Sequence, residues 1–128
     1  MGTCFWDSLI HQLGTHQLIP PTMNPHNLLA LLQSKNVKTT NVFWQETQLS
    51  ENQMTENLTW VAEYNAARIS DSHLGGACDP FLLLVCELYR VTICDMVLNH
   101  KIMYVHVSAT EDTPILKLNT SSGHVSPG

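Results

Sequence analysis

The 128-residue chain is 44% hydrophobic and only 13% charged, a composition that supports one folded domain over residues 1–128 and excludes a disordered or membrane-spanning class. Its formal charge is −5 with six Lys plus Arg, so no cationic cluster exists to displace counterions from phosphates, and no nucleic-acid partner is expected. The longest apolar run, PFLLLVC at 80–86, is too short to span a bilayer, and no basic-then-apolar leader opens the chain; neither a membrane partner nor export is expected.

Thr3 is placed as the N-cap of a first helix, with Cys4 through Leu13 helical and Gly14 as its stop. Phe5, Leu9 and Leu13, with Trp6 and Ile10 beside them, form its apolar stripe. LIPPTMNP at 18–25 reads as a loop. Asn24 caps and Pro25 starts a second helix that fades near Asn36, and 34–41 is a polar connector. NVFWQET is a short strand or turn. Residues 51–69 read as one helix with Leu58, Val61, Ala62 and Ile69 near one face. A Gly-rich loop follows, then Asp79 caps a helix from Pro80 that is apolar on nearly every side and therefore buried. VTICDMVL and KIMYVHVSA read as strands joined at Asn99-His100, PILKL as a third strand, and the segment around His124 as a possible strand beside the helix that carries Cys4. Helices first and an antiparallel sheet afterwards predict an α+β fold.

The four cysteines, Cys4, Cys78, Cys86 and Cys94, contain no CxxC pair, and a reducing compartment is expected, so neither zinc nor disulfides are. Cys86 and Cys94 read as packed thiols, and Trp44 and Trp60 as core anchors. Cys4 is different. At a helix N-terminus the unpaired N–H groups favour a thiolate, and the same groups suit a tetrahedral oxyanion. A packed hydrophobe remains the alternative for any single Cys. A thiolate nucleophile needs a base, and seven histidines compete. His11 and His16 lie in or just after the first helix, pointing away from Cys4 or about two turns from it. His26 sits on the second helix, His73 in the Gly-rich loop, His100 at a hairpin tip and His106 inside a strand. His124, far from Cys4 in sequence and on the last segment, leads by spacing.

GTCFWDSL at 2–9 resembles the nucleophile signature of the ovarian-tumour (OTU) cysteine proteases, in which Asp-Gly-Asn-Cys precedes an aromatic pair. LGGACDPFLLLVCELYRVTICDM at 74–96 resembles that family's Gly-rich loop, buried helix and strand, with Leu74 where Trp is common. LNTSSGHVSPG at 118–128 resembles the block in which the base His begins a short strand. The three blocks occur in family order, and the compactness is similar to that of viral members. Met1 stands where the family has Asp, an expected mark of a cut in a larger polyprotein; Thr3 replaces Asn, and Ser126 replaces the usual Asp or Asn.

The resemblance implies a compact papain-like fold and a thiol-dependent hydrolase acting on ubiquitin or ubiquitin-like conjugates in the host cytoplasm, with viral polyprotein junctions as further substrates and no cofactor. It assigns Cys4 as nucleophile and His124 as base, with backbone N–H groups around Thr3 and Cys4 holding the oxyanion. Gly75, Gly76 and Gly123 would wall a channel for a Gly-containing tail. Ser126 is a weaker orienter than a carboxylate, so a Cys–His dyad is expected, or a triad completed elsewhere; Asn119, read as a turn residue, is the other candidate. Two further readings follow from the same residues: an impaired OTU-like module that only binds ubiquitin or a viral partner, and a papain-like protease confined to viral self-processing.

Overall fold

The computed structural model describes residues 3–71, 78–121 and 124–128, the side chain of His124 lying outside that set. The chain folds as α+β, with four α-helices and a six-stranded sheet among the described residues. No helix among the described residues is long and apolar enough to cross a membrane.

Helix α1 spans Cys4–Thr15 and buries Phe5, Leu9 and Leu13, the stripe expected from helical spacing, with Trp6 beside them; Ser8 is buried as well, and Ile10 is only half-buried. Gly14 does not stop it. The helix runs on to Thr15, and Gln17 takes the left-handed conformation that ends it, with φ 58°. Nor does the Thr3 side chain cap the helix, because its hydroxyl donates to Asp7 Oδ2 at 2.6 Å instead. Helix α2, Pro25–Ser34, begins as predicted, with Asn24 Oδ1 accepting from the Asn27 N–H at 2.9 Å.

NVFWQET forms a tight hairpin, β1 Val42–Trp44 and β2 Thr47–Gln48, turning through Gln45 and Glu46 at positive φ. Helix α3 covers Glu51–Glu63 under a reciprocal Ser50–Gln53 capping box. The single helix predicted over 51–69 breaks at Tyr64 and Asn65 and resumes as a 3-10 turn, Ala66–Ser70, because Asn65 Oδ1 caps a new start at Ala67. Val61 and Ile69 are buried as expected, Leu58 is half-buried, and Ala62 faces solvent, displaced from the core face that Met54 and Val61 occupy. Gln33 Nε2 donates to the Val61 and Tyr64 carbonyls, fastening α2 to the frayed end of α3.

Helix α4, Pro80–Tyr89, buries every residue from Phe81 to Cys86. Strands β3 Thr92–Val97 and β4 His100–His106 form a hairpin whose turn is Leu98-Asn99, one residue before the predicted position; both have positive φ, and His100 already belongs to β4. Strand β5, Ile115–Ser121, pairs with β3 in parallel, and β6, His124–Pro127, pairs antiparallel with β5. The strand order β2-β1-β4-β3-β5-β6 is therefore mixed, not the small antiparallel C-terminal sheet that the order of elements suggested. Local turn signals report hairpins but not which older strand a later one joins. Asn119 lies inside β5, so it is a strand residue rather than a turn residue. Ile93, Tyr104, Leu116, Leu118 and Val125 project from one face of the sheet and are buried with the inner faces of the helices.

Candidate functional site

Helix α1 lies along the outer edge of β6. Ser8 Oγ donates to the Val125 carbonyl at 3.1 Å, and further along Gln12 Oε1 accepts from the Lys117 N–H at 3.0 Å. Both bonds satisfy polar groups that a bare sheet edge would leave open. Since Ser8 and Gln12 are one helical turn apart, α1 runs in the same direction as β6, with its first turn beside the beginning of that strand.

Cys4 is the first residue of α1 and is partly buried. It opens into a cleft of about 360 Å³ whose walls are Cys4, Asp7, Ser8 and His11 from the helix and Val125, Ser126 and Pro127 from β6. His124 precedes Val125 and is the register partner of Ser121, so its backbone begins the strand that forms the second wall; its side chain is outside the described residues. Gly75, Gly76 and Gly123 also lie outside the described residues. Thr3, half-buried, stands next to the thiol with its hydroxyl committed to Asp7.

Ser126 and Asn119, the two candidate orienters, are register partners, and Ser126 Oγ reaches the Asn119 carbonyl at 3.5 Å. Both therefore sit on the strand pair that carries His124. The Ser126 hydroxyl is engaged with the backbone of the neighbouring strand.

His11 lines the cleft, a feature the spacing argument did not bring out. It is seven residues from Cys4 on the same helix, about 10 Å along the axis, too far for direct proton transfer. His16, His26 and His100 are exposed, and His106 is buried with Nδ1 accepting from the Ser108 N–H at 3.0 Å; His73 lies outside the described residues.

The other thiols do not resemble Cys4 in setting. Cys86 is fully buried, its sulfur 3.7 Å from the Tyr104 carbonyl, and burial pushes it far up. Burial, with Asp79 beside it, pushes Cys78 up to about 12. Cys94 is half-buried on β3. Trp44 is half-buried, whereas Trp60 is 39% exposed at the rim of an aromatic cluster with Tyr64 and Phe81, and so is not the core anchor expected of it. Among the described residues no group of three or more His, Cys, Asp or Glu side chains gathers as a metal ion would require. Compared with known proteins, the chain matches no family model, no curated protein and no solved structure.

Proposed function

We propose that this chain is a thiol-dependent hydrolase of the OTU type, with Cys4 as nucleophile and His124 as base. Its substrates would be ubiquitin or ubiquitin-like conjugates and, in a viral polyprotein, junctions of the same chain in the host cytoplasm. The observation that carries the reading is the pairing of α1 with β6. Cys4, partly exposed as the first residue of α1, shares a cleft with the strand that His124 begins.

In this mechanism His124 takes the Cys4 proton, and the thiolate attacks the carbonyl of the scissile bond. The N–H groups of the first turn of α1 stabilise the oxyanion, a task for which Thr3, engaged with Asp7, does not compete. Collapse of the intermediate expels the amine, which receives the proton from His124, and water then releases the acyl group from sulfur. The Ser8–Val125 bond keeps helix and strand in register while both partners react. With Ser126 turned to Asn119, His124 works as half of a dyad, at some cost in rate relative to a carboxylate-held imidazole.

A ubiquitin derivative with an electrophilic C-terminus tests the proposal. A covalent adduct on Cys4 that Cys4→Ala abolishes is the expected result. Tight binding without an adduct would replace the hydrolase by the binding-only module that the Ser126 geometry also permits. Cleavage of the viral junction without any adduct would favour a protease confined to self-processing.

A further inference from the structure

Behind the same end of the sheet, on its core side, lies a polar pair that the proposed reaction does not use. Asp95 of β3 is 1% exposed and Thr120 of β5 is 4% exposed, and Thr120 Oγ1 donates to Asp95 Oδ1 at 2.8 Å. In the parallel register Asp95 stands opposite Leu118 and Thr120 opposite Val97, so the bond crosses diagonally and fixes β5 one residue before its end. Thr120 is also the register partner of Val125, whose carbonyl receives the Ser8 hydroxyl and whose chain neighbour is His124. A continuous path of bonds and strand pairing thus joins a buried carboxyl group to the beginning of β6.

Nothing cationic balances that carboxyl group among the described ion pairs. The titratable groups turned toward it are themselves acidic: Asp79 from the start of α4 and the Tyr104 phenol from β4, with Cys78 next to Tyr104. A buried carboxylate in such company destabilises the fold, and an amide of the same shape would accept the threonine hydroxyl without that cost. Stability alone therefore does not account for an acid at position 95.

We propose that ionised Asp95 is a positioning group that, through Thr120, holds the end of β5 and the start of β6 where His124 must stand; its catalytic consequence rests on the hydrolase reading above. A charge-assisted bond from Thr120 is stronger than one to a neutral acid, so protonation loosens the strand. Burial, opposed by the Thr120 bond and reinforced by Asp79, raises Asp95 to about 6, which puts that loosening in the mildly acidic range.

Amide hydrogen exchange at Ser126, referred to Leu84 in α4 to cancel global opening, reads the strand without reference to activity. Thr120→Val should raise the Ser126-to-Leu84 exchange ratio about tenfold and slow ubiquitin-probe labelling of Cys4 by a similar factor, while Thr120→Ser, which keeps the hydroxyl, stays within about twofold of wild type on both. A ratio unchanged in Thr120→Val overturns the proposal. Should that variant not fold, wild type and Asp95→Asn decide: the ratio should rise in wild type between about pH 7.5 and about pH 5 and stay level in Asp95→Asn, and an equal response in both overturns it. A wild type that never labels, with the exchange pattern as expected, removes the hydrolase reading and leaves Asp95 as the group that sets β6.

Discussion

Helices α1 and α4 start near each other, Trp6 of the one packing on Phe81 of the other with ring centroids 4.9 Å apart, yet their first turns are built in opposite ways. That of α4 is sealed. Asp79, 5% exposed, accepts from the Phe81 and Leu82 N–H groups, Pro80 occupies the position where no donor is needed, and the Tyr104 hydroxyl accepts from the Asp79 N–H at 3.0 Å. The thiol beside it, Cys78, is held protonated by burial. The first turn of α1 has no side-chain cap from Thr3 and faces a cleft, with Cys4 partly exposed at its lip. One helix start spends its donors on an aspartate of its own chain, and the other receives no such bond from its N-cap side chain. Under the proposed function this difference favours Cys4 over Cys78 as the nucleophile.

Predictions that break or sharpen this contrast run from large effects to small. His124→Ala should slow labelling of Cys4 by the ubiquitin probe at least about 100-fold while the circular dichroism spectrum is unchanged, whereas His11→Ala should change it less than about twofold, since the proposed mechanism takes its base from His124 and His11 stands about 10 Å along the helix from Cys4. Asp95 gives a pH effect of definite sign. The folded protein holds its proton more tightly than the unfolded chain, so the destabilisation is complete above about pH 6 and fades as pH falls through that value. It vanishes below 3.8, where both states are protonated. Urea unfolding should therefore show Asp95→Asn more stable than wild type by about 2 kcal/mol near about pH 7.5, with the gap closing near about pH 4.

Asp79→Ala should destabilise the protein by about 1–2 kcal/mol, because it strips the sealed start of α4 of both side-chain bonds; a loss below about 0.3 kcal/mol would mean that the cap contributes nothing. Ser8→Ala should cost about 1 kcal/mol by freeing the Val125 carbonyl, and should slow labelling as well, since helix and strand lose their link. Ser126→Asp has the smallest expected effect, a gain of a few-fold in labelling rate as a carboxylate replaces a hydroxyl bound to Asn119.

Much of the frame was legible. Asp79-Pro80 and Asn24-Pro25 announce their helices because a capping side chain and a proline act within one turn, where tertiary contacts matter least. The site was legible to the level of its two elements, since Cys4 does begin a helix and His124 does begin a strand beside it. What lay beyond reach is non-local. The parallel pairing of β5 with β3 depends on a crossover that no turn residue encodes, and Asp95 looks like any polar residue in a strand until Thr120 arrives beside it. Some misses were local conflicts. Gly14 suits a helix stop, yet Leu13 has to stay buried and the helix continues past it; Leu98 takes a positive φ that its side chain disfavours because the β3–β4 register demands it. The Ser50–Gln53 box was present in the sequence and carried a readable signal.

The proposed function requires the Cys4 sulfur and the His124 ring to meet at the mouth of α1, and titration of the His124 ring followed by NMR in wild type and in Cys4→Ala tests that directly. If the two groups form a thiolate–imidazolium pair, removing the thiol shifts the His124 titration to lower pH. Superimposable curves in the two proteins would contradict the account.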